Sequence, residues 1–286
     1  GTDGDDTEIQ NKHLYGEWDF GAAKLLVGKT YDGIQQFMSA QMYAGDSGLL
    51  GNGLMYGGRP YQIALSFGGF RIALADPKAT HTPGVTVVGV TVIPGTTTGD
   101  IDQKFPKIVA RYGMSFDQFS FDVMGGYQHY EIEDVVSLVD GTTNDIDVNS
   151  WVIGGDATVN FGPAYVKGGI SYAENGGNAR WAAGAGIWDL DDDIIDMNTL
   201  QFAVVAGFKM SDQITFEAGF GYRNDDLDIS GAEDDTTLAY YGNASIALAP
   251  GVWIIPEIGY YDYQDGLFDE DQGNAFYGGA KWQIDF

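Results

Sequence analysis

Apolar and polar residues alternate along most of this chain. From Leu200 to Met210, the residues Leu200, Phe202, Val204, Ala206, Phe208 and Met210 fall on one side of an extended strand, and Gln201, Ala203, Val205, Gly207 and Lys209 fall on the other, because successive strand side chains point to opposite faces. After Ser211-Asp212-Gln213 the pattern restarts: Ile214, Phe216, Ala218, Phe220 and Tyr222 against Thr215, Glu217, Gly219, Gly221 and Arg223. The same unit recurs from Lys107 to Phe116, Phe119 to Met124, Trp151 to Phe161, Leu238 to Leu248 and Val252 to Tyr260.

The pattern predicts about 13 strands, at 13–20, 23–29, 59–66, 70–76, 104–116, 119–132, 148–161, 164–174, 197–210, 214–227, 236–248, 252–264 and 273–286. The connections alternate in length. Short turns stand at 21–22, 67–69, 117–118, 162–163, 211–213 and 249–251; long polar loops stand at 30–58, 77–103, 133–147, 175–196, 228–235 and 265–272. Turns at one end and loops at the other are the organisation of a transmembrane barrel. Many of these strands reach the roughly 9–11 residues that cross a bilayer. A soluble sandwich or lipocalin is the rival reading, but the less apolar face mixes Gly, Ser, Thr, Asn and charges, a poor solvent coat and a good wall for a wet lumen. Aromatic residues at segment ends (Trp18 and Phe20, Phe116 and Phe119, Trp151 and Phe161, Tyr260 and Tyr261) fit the girdles of such a barrel. The chain is read as a single domain over 1–286.

Composition narrows the function classes. The 286 residues carry 41 acids and 14 bases, a net charge of −27, which excludes the clustered cations that nucleic-acid binding needs. With no cysteine there is no disulfide framework or thiol chemistry. Residues 1–12 (GTDGDDTEIQNK) are polar and acidic, unlike an export leader, so the sequence reads as a mature or trimmed product or as one never exported, and the rest of the pattern favours export. Three histidines (His13, His81 and His129) and no Gly-x-Ser-x-Gly segment leave a barrel enzyme as a minor alternative.

The chain ends Ala280-Lys281-Trp282-Gln283-Ile284-Asp285-Phe286, an apolar face running to a final Phe. This resembles the C-terminal signal of outer-membrane proteins. Leu25-Leu26-Val27-Gly28-Lys29-Thr30-Tyr31, the unalternating stretch after it, and Arg59 opening the next strand together resemble the strand, infolded loop and following strand of the Gram-negative general porins. The motif-level match covers 23–75 and 278–286.

The resemblance implies an all-β, transmembrane antiparallel β-barrel of 16 strands in the bacterial outer membrane, embedded in lipid and lipopolysaccharide as a homotrimer. It would pass small hydrophilic solutes by passive diffusion. An odd visible count leaves two options, a missing N-terminal piece or a miscount giving 12 or 14 strands. Residues 30–58 would fold into the lumen as a constriction loop, with a loop lying over a neighbouring subunit as the alternative. Lys29, Asp32, Asp46, Arg59, Arg71, Lys107 and Arg111 are the expected constriction residues, with Lys167 continuing a basic ladder on the wall. The loop carries Gln35, Gln36, Met38, Gln41, Met42, Met55 and Tyr56 where the family has acids, which predicts a less polar eyelet. A structural or adhesive barrel with a plugged lumen is a third class; the lumen-face glycines fit an open interior, or else a close-packed plug or the infolded loop. Tyr130, Tyr165, Tyr241, Trp253 and Tyr261 are scattered candidates for an aromatic track in a substrate-specific channel.

No cofactor is expected. The acidic loops offer weak Ca²⁺ candidates at Asp191, Asp192, Asp193, Asp269 and Asp271, without EF-hand spacing.

Overall fold

A computed structural model describes residues 11–43, 47–77, 79, 85–88, 91–94, 100–136, 142–188 and 194–285. In chain order the strands are β1 (Leu14–Asp19), β2 (Lys24–Lys29), β3 (Tyr61–Phe67), β4 (Phe70–Ala75), β5 (Val85–Val88), β6 (Thr91–Pro94), β7 (Asp100–Asp102), β8 (Lys107–Ser115), β9 (Phe119–Val136), β10 (Thr143–Phe161), β11 (Ala164–Glu174), β12 (Ile187–Trp188), β13 (Ile194–Ile195), β14 (Met197–Lys209), β15 (Ile214–Leu227), β16 (Asp235–Ala249), β17 (Val252–Asp262) and β18 (Asn274–Ile284). One large sheet runs β1-β2-β3-β4-β8-β9-β10-β11-β14-β15-β16-β17-β18, with β7 added against β9. Every ladder in it is antiparallel and joins each wall strand to the next, as a meander of hairpins must. The short pairs β5–β6 and β12–β13 lie in the long loops.

The alternation separates the two faces as the sequence predicts. Ile258, Phe276 and Trp282 point outward and are 62%, 74% and 65% exposed. Their register partners on neighbouring strands share that face: Ile258 lies across from Gly242 and Gly278, and Trp282 across from Ile254. The intervening residues point inward, among them Gln62, Lys107, Gln201, Glu217, Asn243 and Glu257, all buried. Apolar side chains outside and polar ones inside is the inverse of a water-soluble fold; it is the arrangement of a wall whose solvent is lipid.

Strand positions agree with the pattern within a few residues, with one correction. The segment 133–147, expected as a loop, continues the β9–β10 hairpin to Val136 and Thr143. Acids alternating with Tyr130, Ile132, Ile146 and Val148 made it look like loop, yet those four side chains all turn inward into one buried cluster. Within this sheet, β1 and β18 have no ladder partner on their outer edges among the described residues, so the sheet is curved but not closed.

A charge on the outer face should therefore cost more than on any loop. Val204 sits midway along β14 and points outward. Val204→Arg should weaken folding into lipid vesicles by about 2–4 kcal/mol, measured by urea titration, and Val204→Leu should leave it nearly unchanged.

Candidate functional site

The candidate site is the interior of the sheet, and the segment between β2 and β3 fills much of it. Where this chain leaves β2, wall side chains take its carbonyl oxygens. Gln62 Nε2 donates to Thr30 O (2.7 Å) and Tyr31 O (3.0 Å). The Arg71 guanidinium donates to Asp32 O (2.8 Å) and Tyr31 O (3.1 Å), and also to Gln62 Oε1 (2.6 Å). Arg111 donates to Gln35 O (2.5 Å) while its Nε holds Asp122 Oδ1 at 2.7 Å. Gln36 then reaches the wall itself, its Nε2 donating to Gly155 O (2.7 Å) and Ile170 O (2.9 Å), two residues paired across β10 and β11.

At the far side the polarity reverses, and wall carboxylates take the segment's backbone N–H groups. Glu217 accepts from Ala40 N and from the Tyr165 and Tyr241 hydroxyls. Glu257 accepts from Met42 N (2.8 Å), Tyr43 N (3.2 Å), Tyr277 OH (3.0 Å) and Asn243 Nδ2 (3.0 Å). Gln41 Nε2 donates to the hydroxyls of Tyr261 (3.0 Å) and Tyr277 (3.1 Å). The returning chain is fixed by Gln201, whose Oε1 accepts from Gly53 N at 3.2 Å, and by Arg223, which donates to Gly51 O at 3.2 Å. Here glycine is obligatory: Gly53 has φ +125° and lies against Gly221, where a Cβ on either residue would collide with the backbone of the facing segment. Such charge-assisted bonds to backbone groups are stronger than neutral ones.

A second segment folds inward beside the first. Residues 175–186 leave β11 with Asn175 and Arg180 in the left-handed region around a short 3-10 turn, Gly176–Ala179. Ala182 N donates to Tyr56 O (2.9 Å) and Gln201 Nε2 to Ala182 O (2.6 Å), so Gln201 ties both segments to β14. Lys107 Nζ donates to Ala179 O at 2.7 Å, beneath the Trp181 ring. Trp181 is 2% exposed and packs with Ile34 and Met55 of the first segment. The alternation predicts 175–196 as one of the long polar loops, and its first half instead packs inside. The available signal was composition: between acidic loops, Gly176 to Gly186 carries one charge, one Trp and a run of small residues.

The expected constriction residues have different fates. Asp32, Arg71, Lys107 and Arg111 do converge under the loop, but they face its backbone or lie buried; Lys107 is only 2% exposed. Arg59 stacks on Tyr31 at 4.4 Å and donates to its hydroxyl. Lys29 is a correction: its β-ladder partner Tyr61 points outward, and the Lys29 ammonium lies over that ring, away from the lumen. The left-handed-side backbone of Gly28 (φ +136°) sits just before it. Asp46, Asp191, Asp192 and Asp193 fall outside the described residues. Asp271 accepts from Gly273 N, and neither it nor Asp269 joins a three-ligand group. Among the described residues the one grouping with metal-ligand spacing is Asp102, Glu131 and Glu133, and Lys104 already bridges Asp102 and Glu131 at 3.2 and 2.8 Å. Of the lumen glycines, Gly207, Gly219 and Gly259 lie under the rings of Tyr165, Tyr241 and Tyr277, so they make room for the loop's anchors.

No family model matches the chain, and no curated protein matches it. Solved structures do. The outer membrane channel DcaP of Acinetobacter baumannii aligns with a TM-score of 0.64 at 13% identity, over 91% of this chain and 70% of that one. Outer-membrane expressed OmpT of Vibrio cholerae aligns at 0.56 and 14%, over 95% and 80%. Pseudomonas putida OprB aligns at 0.53 and 12%, over 94% and 71%. The chain has the fold of the bacterial outer-membrane porins. In that fold the apolar outer face of the wall is the side that meets lipid.

In this porin fold the root of the infolded loop carries a titratable group. Asp32 is fully buried, and its Oδ2 has no hydrogen-bond partner. Burial pushes its carboxyl up from 3.8 to about 6, against the opposing pull of Lys107, the Ile34 N–H, Trp181 and Arg71. A raised acid favours the docked loop most below its free pKa, and the benefit is lost as pH rises through about 6. The loop should therefore resist protease better at pH 5 than at pH 7.5, and Asp32→Asn should abolish the difference, read by limited proteolysis of the folded protein.

Proposed function

We propose that this protein is a porin in the narrower sense: a non-enzymatic channel through which small hydrophilic solutes and ions diffuse passively. The observation that carries the reading is the interior itself. A polar bore is narrowed, by two segments whose backbone is pinned to charged wall residues, while the outside of the same wall is apolar. Open edges at β1 and β18 cannot face lipid, because unpaired backbone groups there are too costly. Closure of the wall at these edges belongs to the same proposal, in keeping with the barrel that the family resemblance implies.

Trimerisation belongs to the same proposal. It is supported by a concave outer patch of about 750 Å³ where Ala206, Ala218, Gly242 and Ala244 stand between Phe208, Phe216 and Ile258, a surface that lets a neighbouring wall approach closely. A barrel hydrolase is disfavoured by the described histidines. His13 contacts Thr30 Oγ1, and His129 lies against Asn149 Oδ1 and the exposed Asp147 carboxylate (3.7 Å); one stands beside β1 and the other on β9. A substrate-specific channel built on an aromatic track is disfavoured too, because Tyr241 and Tyr261 are buried as loop anchors.

The test is current through a planar bilayer. The protein should give stepwise conductance, and Glu217→Gln with Glu257→Gln should give larger and noisier steps as the loop loosens. Folded protein that passes no current would overturn the diffusion reading.

A further inference from the structure

Most of the interior cations are already engaged. Arg71 and Arg111 hold loop carbonyls, Arg111 also holds Asp122, and Arg223 holds Asp225. Lys107 holds Ala179 O, and Arg59 holds the Tyr31 hydroxyl. Lys167 differs. Its register partners are Thr158 on β10 and Val205 on β14, and Val205 is buried on the inner face, so Lys167 points into the bore. Its ammonium lies 5.7 Å from the Phe37 ring centroid and 5.1 Å from that of Tyr165, and among the described residues no carboxylate lies within ion-pair distance.

Ring faces attract an ammonium and hold it in place, but they take up none of its three N–H donors in the way an oxygen would. Nearby acids are spoken for or set apart: Glu217 is occupied by Ala40 N, Tyr165 and Tyr241, and Asp122 by Arg111. Asp156, on the same face, pairs across the ladder with Gly169, two residues further along β11 than Lys167. The position also lies beside the infolded loop. Phe37 belongs to the infolded loop, and the next residue, Met38, is exposed.

We propose that Lys167 is the anion-contact residue of this pore, presenting its ammonium to chloride or to the carboxylate or phosphate group of a small solute passing beneath the loop. In a chain of net charge −27, this residue offers a passing anion free N–H donors on the wall, where Arg71, Lys107 and Arg111 have theirs committed to loop carbonyls. The inference rests on the diffusion reading above.

Reversal potentials in a KCl gradient test it, with chloride as the probe. Lys167→Gln should lower the chloride-to-potassium permeability ratio by about 2–3-fold, the effect of one unit charge acting across a few ångströms of water. Lys167→Glu should lower it further. Lys209→Gln, at an exposed short turn where Lys209 pairs with Asp212, should leave it unchanged. Current with an unaltered ratio in both Lys167 variants, or an equal shift in Lys209→Gln, would overturn this inference and leave the pore intact. Absence of current from the unaltered protein would overturn the pore and this inference with it.

Discussion

A backbone cut off from bulk water must find its hydrogen bonds inside the protein, and the rest of this structure follows from that constraint. The wall meets it with antiparallel ladders between successive strands. The infolded segments meet it only in part, through their own turns and through bonds such as Gln36 N to Met55 O and Ala182 N to Tyr56 O. Many of their remaining carbonyl and N–H groups are met by side chains, which explains why a surface otherwise expected to be wetted carries so many long polar residues.

The two ends of the first segment are met by opposite charges. Guanidinium groups can only donate, so Arg71 and Arg111 take carbonyls at residues 31–35; carboxylates can only accept, so Glu217 and Glu257 take N–H groups at residues 40–43. The pattern fixes direction as well as position. Reversed or slipped by one residue, the chain would present carbonyls to carboxylates. Gln36, Gln41 and Gln201 offer both kinds of group and bridge the places where the polarity changes.

This arrangement changes the meaning of the basic ladder. Arg71, Lys107 and Arg111 are on the lumen wall in register, yet their N–H donors are committed to structure, and the donors open to a passing ion come from residues the loop leaves uncovered. It also changes the meaning of the loop's own composition. Glutamines that suggested a weakly polar eyelet are its fastenings, while Met38 remains toward the bore.

The alternation of apolar and polar residues determined the strands and their two faces, because both depend on a two-residue period that is written locally; strand length and the mixed composition of the less apolar face, not the period, pointed to the membrane-facing side. Leu200 to Tyr222 could be assigned before any contact was known, and the loop at 30–58 could be expected to enter the lumen from its resemblance. Tertiary structure alone decided what the inward residues do. Lys29 and Lys107 look alike in sequence; one lies on the outer wall over Tyr61 and the other is sealed under Trp181. The second infolded segment was hidden for the same reason: the contacts of Trp181 with Ile34 and Met55 join residues more than a hundred positions apart, and no local period records a partner at that distance.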